Sequence, residues 1–377
     1  MQSKRNISEA PQAAGYQTPL RMKSTTIVDI AREAGVSKAT VSRVLSKPYL
    51  VNEKTREKVL LIIEKYSFVP NALAQGLAGM PTKIIGVMVD EFANDFYIEL
   101  ANGIDNVLTG ENYSVQLMSS RWEPERELRG IRSFLLSRVD GILMAPFSAE
   151  SEATDLLKNS GVPHVLINMT SSDPAVSYVC GDSYKGGRLA ASYVKSLDQE
   201  QVITVDVSEH RTVKERLRGF RDEFGTKLID YHGIKTMDDG RALVPVMIAR
   251  NGIDRKKTTL FVGNDYIAFG VLAGLYEHKI AIPRQLSIIA YDDIRIASMC
   301  RTPLTTISQS IYNMGKIAAQ ALVTLIRNPQ SPPCRHIIEP MLIVRESTSS
   351  PREGRGTGRQ RRAGYPPKNI QADSPCG

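Results

Sequence analysis

The sequence predicts an α/β protein in which a small helical N-terminal domain precedes a larger body of parallel sheets arranged in two lobes. Short helical periods run from residue 24 to about residue 70, and buried strands alternate with amphipathic helices from residue 81 to about 345. Such alternation is typical of a parallel sheet with helices on both faces. The body, about 265 residues long, exceeds what one such sheet usually needs, so we expect two lobes.

The excess positive charge lies at the two ends of the chain. The 377 residues carry a formal net charge of +8, and residues 1–60 alone hold 11 basic and 5 acidic side chains. Residues 351–377 hold 6 basic and 2 acidic ones, which leaves a net charge of −2 for the residues between. A nearly neutral body with a basic front end is typical of a protein that binds a polyanion through its N-terminal region.

Both ends of the chain are predicted to be disordered, residues 1–23 as a polar leader and residues 349–377 as a basic tail. The tail, rich in Gly, Arg and Pro, has too few large aliphatic residues to offset the entropy of ordering. The start of the chain has no apolar export segment, and no run reaches the roughly 18 apolar residues of a membrane helix. We therefore expect a cytoplasmic protein with no membrane partner.

Three short helices are predicted between residues 24 and 70. Thr26 can cap the first helix with its hydroxyl, and Asp29 lies favourably near the positive helix end. Gly35 permits a tight turn, after which Ser37 can cap the second helix and Asn52 the third. The predicted core positions are Ile27, Ile30, Ala31 and Ala34, then Val41, Val44 and Leu45, and finally Val59, Leu60, Ile62 and Ile63.

The spacing of the first two helices fits a helix-turn-helix, in which the second helix enters the DNA major groove. Lys38 and Arg43 can donate hydrogen bonds to guanine or phosphate acceptors, and Ser42 points outward with them. The methyl groups of Ala39 and Thr40 can contact a thymine methyl. The pattern alone equally allows an ordinary three-helix bundle with a solvated face.

Seven apolar runs of the body predict buried strands. Polar turn residues bound each run, and amphipathic stretches such as the one that includes Phe96 and Leu100 separate them. The runs are IIGVMV (84–89), YSVQLM (113–118), DGILMAP (140–146), VPHVLI (162–167), VITVDV (202–207), TTLFVG (258–263) and LSIIAYD (286–292). In open parallel sheets ligands bind at the carboxyl ends of the strands, which here would face a cleft between the lobes.

Long motifs extend from residue 24 to about residue 350. The N-terminal part contains AREAGVSKATVSRVL, TREKV and VPNALAQGL. The body contains IGVMVDEFANDFY (85–97), RVDGILMAP (138–146), VCGDSYKGGRLAA (179–191), ERLRGF (215–220), LFVGNDYIAFGVL (260–272), IIAYDD (288–293), PLTTISQ (303–309) and VRESTS (344–349). With these motifs the chain closely resembles the lactose-repressor (LacI/GalR) family of bacterial transcription regulators.

The resemblance implies a DNA-binding domain over residues 24–70 and a hinge over residues 71–80 that becomes helical on a palindromic operator. Leu77 would insert between base pairs in the minor groove, unless it is a linker leucine packed on the body. Gly76 costs about 1 kcal/mol of helix propensity, so hinge folding would depend more on DNA. The DNA-binding residues predicted in this way are Thr26, Ser37, Lys38, Ala39, Thr40, Ser42, Arg43, Asn52, Asn71, Ala74 and Leu77.

For residues 81–348 the resemblance implies a two-lobed body similar to periplasmic sugar-binding proteins, with three crossovers, a small effector in the cleft and a homodimeric assembly. The effector would be a sugar, sugar acid or sugar phosphate. Lys235 replaces an aromatic residue usual in the family, and would favour an acidic or phosphorylated sugar if it reaches the cleft. The predicted effector-binding residues are Asp90, Asn94, Phe96, Ser148, Arg216, Lys235, Asn264, Asp292 and Gln309.

Three of these positions have simpler interpretations. Asn264, followed by Asp265, could merely cap the next helix. Asp292 could be a turn residue. Arg216 could pair with Glu215 or Glu223 on a solvated helix face.

No enzyme activity, metal or cofactor is predicted. The chain lacks GxxxxGK[ST], GxGxxG, GxSxG and HExxH motifs, and its four cysteines form no CxxC. In the family that the chain resembles, members that form tetramers carry a C-terminal leucine repeat. Residues 351–377 contain no leucine, so the resemblance implies a dimer. The sequence therefore predicts a sugar-responsive transcription regulator of the bacterial nucleoid, most simply a repressor; the alternative is a solute-binding protein with no DNA role.

Overall fold

The computed structural model describes residues 25–68, 81–205, 211–225 and 227–349. The chain divides into two compact units, Met1–Met80 and Pro81–Gly377. The predicted leader, the hinge with Asn71, Ala74 and Leu77, and the tail from residue 350 onward lie outside the described residues. Among the described helices, none has the length and apolar character needed to cross a bilayer.

The described part of the first unit, residues 25–68 and called the headpiece below, contains three α-helices and one short 3-10 helix. The elements are α1 (Ile27–Ala34), α2 (Lys38–Ser46), the 3-10 helix Pro48–Leu50 and α3 (Glu53–Lys65). The buried core consists of Ile30, Ala31, Ala34, Val41, Val44, Val59 and Ile62. Leu60 is exposed, so its predicted core position is wrong: Val59 and Ile62 share the inward face of α3, and Leu60 lies off that face.

Local hydrogen bonds start the headpiece helices where the sequence predicts. The Thr26 hydroxyl accepts from the backbone N–H of Asp29, and the Asp29 carboxylate accepts from the Thr26 N–H in return. Gly35 has a φ of 66°, a left-handed conformation that costs glycine little. Ser37 caps α2 and Asn52 caps α3. The first turn of α2 is thereby held by its own cap.

The second unit, called the body below, alternates strands and helices. Its strands are β1 (Ile84–Val89), β2 (Ser114–Ser119), β3 (Gly141–Met144), β4 (His164–Ile167), β5 (Ser177–Gly181), β6 (Gln201–Val205), β7 (Ile229–Tyr231), β8 (Thr258–Val262), β9 (Leu286–Asp292), β10 (Thr305–Ser308), β11 (Arg335–Ile338) and β12 (Met341–Ile343). Its α-helices are α4 (Asp95–Gly110), α5 (Pro124–Leu136), α6 (Glu152–Asn159), α7 (Ser183–Ser196), α8 (Arg211–Phe224), α9 (Met237–Asn251), α10 (Asp265–Glu277) and α11 (Ile311–Arg327).

The strands form two six-stranded sheets, one in each lobe. The N-lobe sheet has the order β11-β5-β4-β3-β1-β2 and the C-lobe sheet the order β12-β10-β9-β8-β6-β7. Among the strand pairs of the described residues, β10–β12 is the antiparallel one. The chain passes between the sheets three times: after β5, after β10 and between β11 and β12. The α/β fold class, the two lobes and the three crossovers are therefore confirmed.

The seven predicted strands are all present, but one that was predicted to be buried is partly exposed. The run YSVQLM becomes β2, an edge strand whose residues are exposed or half-buried. It pairs only with β1, so one of its sides faces outward. The short strands β5, β7, β10, β11 and β12 were not predicted, because they are polar or only three to five residues long.

Candidate functional site

The carboxyl ends of strands from both sheets carry polar side chains. In the N-lobe, Asp90 follows β1 and Asn168 follows β4. In the C-lobe, Asp292 ends β9 and Gln309 follows β10. All four side chains are at most 9% exposed, whereas polar groups after strands are usually solvated. The cleft predicted at the strand ends therefore contains a buried polar cluster.

Arg216 on α8 is the cation of this cluster and is only 3% exposed. Its Nη1 atom donates to the carbonyl oxygen of Gly263 at 2.8 Å and lies 3.2 Å from Oδ1 of Asp292. Its guanidinium group lies 3.9 Å from the ring centroid of Tyr291. The Nε atom is buried without a hydrogen-bond partner. Arg216 is thus held through its Nη1 atom, while its Nε–H donor makes no hydrogen bond.

Close backbone packing of α7 against α8 fixes the position of Arg216. A Cβ atom on Gly187 would lie 1.9 Å from the carbonyl oxygen of Arg216, and one on Gly219 would lie 2.0 Å from that of Tyr184. Any side chain at either glycine would force the helices apart. These glycines therefore set the distance between Arg216 and the end of β9.

Asp292 combines an unusual backbone with a crowded carboxylate. Its φ is 117° and that of Asp293 is 59°, a region that non-glycine residues rarely adopt. Oδ1 of Asp292 accepts from Nε2 of Gln309 at 2.7 Å in addition to its contact with Arg216. Burial raises the pKa of Asp292 to about 6, although Arg216 and Gln309 act in the opposite direction.

Asp90 is buried without a cation. Its carboxylate accepts from the hydroxyl groups of Tyr97 and Ser120. Burial raises its pKa to about 7, and these hydroxyls only partly oppose the shift. Glu127 on α5 acts on Asp90 in the same direction as burial. Repulsion between carboxylates grows as water is excluded, because the Coulomb energy rises as the dielectric constant falls. This corner of the cleft therefore favours protons or hydrogen-bond donors.

One close contact joins the lobes beside this cluster. Gln309 lies against Gly181, where an added Cβ would come within 2.6 Å of its Oε1 atom. That Oε1 atom has no hydrogen-bond partner. The N-lobe and C-lobe polar groups therefore face one another across a single site.

The other predicted effector-binding residues have varied positions. Asn94 caps α4 by accepting from the N–H of Phe96, and Phe96 packs in the N-lobe core. Ser148 bonds to Glu150 in its own loop. Lys235 is exposed, and its N–H donates to Asp239 at the start of α9. None of these side chains has a recorded bond to the Arg216–Asp292 pair.

The simpler interpretations have different outcomes. Asn264 does cap α10, accepting from the N–H of Ile267 at 2.8 Å. Asp265 bonds internally to Thr306 and to the N–H of Ile294.

The surface pairing proposed for Arg216 is wrong. Glu215 pairs with Arg218, and Glu223 pairs with Arg188 and Lys195. Arg216 points inward because its side of α8 packs against α7 and the end of β9.

Sequence reasoning missed three residues of the cluster. Tyr97 donates to Asp90, Tyr291 stacks on Arg216, and Asn168 has a buried Oδ1 atom without a partner. Asn168 also has a φ of 55° at the end of β4, a position typical of functional strain. Its place directly after the run VPHVLI was a signal in the sequence that could have identified it.

The first turn of α2 presents a polar, basic surface in the headpiece. Ser37, Lys38, Ala39 and Arg43 are exposed, while Thr40 and Ser42 are half-buried. Neither Lys38 nor Arg43 has an ion-pair partner in the described headpiece, whose pairs use Arg32, Arg56 and Lys65. The Ser37 and Thr40 hydroxyls lie 2.9 Å apart. Thr26 and Asn52 are exposed helix caps.

Comparison with known sequences decides the family. The sequence profile of bacterial regulatory proteins of the lacI family matches residues 26–71, and that of the periplasmic binding protein-like domain matches residues 201–348. Catabolite control protein A of Priestia megaterium is 33% identical over 307 residues, which cover 79% of this chain and 92% of that protein. The chain belongs to the LacI family. The resemblance drawn from the motifs is confirmed, and this LacI-family protein is a DNA-binding transcription regulator.

Solved structures share the same architecture. A LacI-family transcriptional regulator from Enterococcus faecalis V583 with bound ribose has a TM-score of 0.64 and 29% identity, covering 71% of this chain and 98% of that one. A lac repressor dimer bound to operator and the anti-inducer ONPF has a TM-score of 0.75 and 24% identity, covering 87% of this chain and 100% of that one. The second likeness concerns the fold alone.

Among the described residues, no three His, Cys, Asp or Glu side chains come together as a metal site would need.

Proposed function

We propose that this LacI-family regulator is a cytoplasmic, nucleoid-associated repressor that binds a palindromic operator as a homodimer and changes its DNA affinity when a sugar occupies the cleft. Residues 24–70 bind the major groove, residues 71–80 form the hinge, and residues 81–348 bind the effector and the second subunit. The observation that carries this proposal is the presence, in one chain, of an uncommitted basic helix face and a cleft with unpartnered buried polar atoms.

Contacts to DNA follow from the chemistry of α2. Lys38 and Arg43 are exposed cations with no ion-pair partner among residues 25–68, so we propose that both contact phosphate oxygens or guanine edges. Ala39 and Thr40 offer methyl groups for thymine. Thr26, Ser37, Ser42 and Asn52 present caps and hydroxyls that suit backbone contacts, since half or more of protein–DNA hydrogen bonds go to phosphate and sugar.

The hinge supplies a second source of operator specificity. Leu77 inserts between two base pairs at the centre of the palindrome, and Asn71 and Ala74 lie beside it in the minor groove. Two copies of the hinge are needed to kink one site, so this role requires a homodimer.

The sugar site follows from the geometry of the cleft. Arg216 Nε is an unused donor, and the Oε1 atom of Gln309 is an unused acceptor on the same side. Buried polar atoms without partners are rare in folded proteins, and a ligand rich in hydroxyl groups can satisfy both kinds. The related Enterococcus faecalis regulator binds ribose. Of the other predicted effector-binding residues, Asp90 and Asp292 belong to the buried polar cluster, whereas Asn94 and Asn264 cap helices, Phe96 packs in the N-lobe core, Ser148 bonds within its own loop and Lys235 bonds to the start of α9.

Coupling between the two sites requires that the sugar bind one arrangement of the lobes better than another. A ligand held jointly by N-lobe Asp90 and C-lobe Arg216 stabilises the arrangement in which both reach it. The separation of the two N-lobes in the dimer then changes, which orders or disorders the hinge pair. The protein has no catalytic role in this scheme: the effector is bound and released unchanged.

The test is operator binding by the full chain. DNA upstream of its own gene and of neighbouring genes is footprinted with purified protein at moderate salt, with scrambled duplex as competitor. We expect a protected palindrome and a shift in affinity on adding one sugar of a panel. Equal affinity for operator and scrambled duplex, with and without the panel, would contradict the proposed function.

A further inference from the structure

We infer that the effector is a neutral or amino-substituted sugar, and that the cleft rejects sugar acids and sugar phosphates. This inference rests on the proposed function and narrows its ligand. It departs from the expectation attached to Lys235.

The buried charges around the cleft are predominantly negative. Among the described residues, the charged side chains that are fully buried are Asp90, Glu127, Asp265, Asp292 and Arg216, which makes four carboxyls and one guanidinium. All five lie at or beside the strand ends of the site. One guanidinium therefore faces four carboxyls. Burial raises the pKa of Asp265 well above its usual value, so this carboxyl adds little negative charge, and Arg216 already contacts Asp292 at 3.2 Å.

The N-lobe acids have only neutral partners. Asp90 accepts from the hydroxyls of Tyr97 and Ser120. Glu127 accepts from the N–H of Phe147 at 2.7 Å and from the hydroxyl of Ser151 at 3.1 Å. No described lysine or arginine contacts either carboxyl. An anion placed beside them would meet uncompensated charge in a site where little water screens it.

The buried polar atoms that have no hydrogen-bond partner also favour a ligand that carries hydrogen-bond donors. Oδ1 of Asn168 and Oε1 of Gln309 are buried acceptors and Arg216 Nε is a buried donor, while the hydroxyls of Tyr291 and Ser183 can act in either way. Gln309 cannot turn its amide over, because its Nε2 atom donates to Asp292 at 2.7 Å. A carboxylate or phosphate offers acceptors only, so it would satisfy Arg216 and oppose both amide oxygens. Hydroxyl and ammonium groups donate to both.

Lys235 does not offset this charge. It is exposed, and its N–H donates to the carboxylate of Asp239 at 3.0 Å. That bond, the cap by Thr236 and the nearby ammonium group of Lys235 hold the pKa of Asp239 below its usual value. Lys235 thus lies exposed at the start of α9 beside Asp239, and none of its hydrogen bonds to described residues reaches the buried cluster.

The experiment is calorimetric titration of the full chain at pH 7.5 with matched probes. Glucose is compared with glucosamine, glucuronate and glucose 6-phosphate; galactose with galactosamine, galacturonate and galactose 6-phosphate; ribose with ribonate and ribose 5-phosphate. We expect a neutral or amino member of one series to bind and its acid and phosphate to bind at least about tenfold more weakly.

Two variants test the cause of the selectivity. Asp90→Asn keeps the shape of the side chain but removes its charge, so the ratio between neutral and acidic probes should fall. The matched control is Asp105→Asn, which removes an exposed carboxyl from α4. It should leave the ratio unchanged. Thermal unfolding establishes that both variants are folded.

Each outcome bears on the inference separately from the proposed function. Tighter binding of an acid or phosphate than of its neutral parent overturns the inference but leaves a sugar-responsive regulator. Selectivity that survives Asp90→Asn unchanged also overturns it. No binding by any probe, with operator binding intact, removes the sugar site itself and the inference with it.

Discussion

Nη1 of Arg216 lies 3.2 Å from Oδ1 of Asp292, and both side chains are almost fully buried. This ion pair joins the helix α8 to the end of β9, and the ring of Tyr291 covers the guanidinium. Removing one member of a buried pair leaves the other charge without compensation, which costs about 3–5 kcal/mol. The pair is therefore a structural element of the C-lobe as well as the centre of the proposed effector site.

Replacing Arg216 by alanine should abolish the effector response while leaving operator affinity intact. The change removes the donor facing the cleft, and it lowers the free energy of unfolding by about 3–5 kcal/mol because Asp292 stays buried. Operator affinity is measured by gel shift with and without the effector, and stability by urea denaturation. Glu215→Ala, on the exposed side of α8, is the control. A normal effector response in Arg216→Ala would remove Arg216 from the site.

Replacing Lys38 by alanine should weaken binding to DNA and reduce its salt dependence. If Lys38 neutralises one phosphate, the slope of log K against log salt should fall by about 1. The measurement is a salt titration of operator binding by fluorescence anisotropy. Lys54→Ala, which removes a similar exposed charge from the start of α3, is the comparison. Identical slopes for the wild type and Lys38→Ala would place Lys38 outside the interface.

Replacing Leu77 by alanine should weaken operator binding by about tenfold or more while affecting random DNA less, because a shorter side chain cannot hold the base step open. Affinities for operator and scrambled duplex are compared in the same buffer. An equal loss on both duplexes would show that Leu77 acts in the linker and not as an inserted side chain.

Stability of the body should fall as the pH rises between about 4 and 7. Burial raises the pKa of Asp90 from 3.8 to about 7, so in this window the folded state binds more protons than the unfolded state. Each pH unit then costs at most about 1.4 kcal/mol from this one group. Asp90→Asn should flatten this part of the curve, leaving the contributions of Asp292, whose pKa is raised to about 6, and of Glu127, Asp265 and Asp293, whose pKa burial also raises.

The readout is urea unfolding at half-unit pH steps. Asp105→Asn should reproduce the wild-type curve, since this carboxyl is exposed. A steeper decline in Asp90→Asn than in the wild type would mean that Asp90 is ionised and stabilising in the folded protein.

Arg345 should position Asp292 through the adjacent turn. Its Nη2 atom contacts Oδ1 of Asp293 at 2.6 Å, and its Nη1 atom donates to the carbonyl oxygen of Leu304. Arg345→Met releases the consecutive positive-φ residues Asp292 and Asp293, so effector affinity should fall by about tenfold. Calorimetry measures the loss, Arg345→Lys should restore part of it, and Arg284→Met is the exposed control. Unchanged affinity in Arg345→Met would show that the turn holds without it.

Much of the fold could be predicted because its signals are local. Thr26, Gly35 and Ser37 determine helix ends through their own hydrogen bonds and backbone angles, which depend on neighbours three residues away. Buried strands such as IIGVMV are continuous apolar runs. Strands β10 and β12 escaped prediction since they are short and pair with sequence-distant partners. Leu60 was misplaced because apolar character does not say which face of α3 is covered.

The candidate site was predictable only as a set of strand-end residues. That Arg216 reaches Asp292 and stacks on Tyr291 depends on the glycine contacts between α7 and α8. That Asn264 serves as a cap depends on which atoms its amide meets. Tyr97 was not singled out from the sequence, because only the fold shows that its hydroxyl donates to Asp90.

The amino-acid sequence by itself determined the helix-turn-helix, the alternation of strands and helices and the family, because these features reside in local periodicity and in long contiguous motifs. Only the tertiary structure decided which charges share the cleft. Asp292 meets Arg216 there, while Asp90, distant in sequence, is buried among hydroxyl groups, and the energy of a charge depends on the neighbours and the solvent exclusion that folding brings to it.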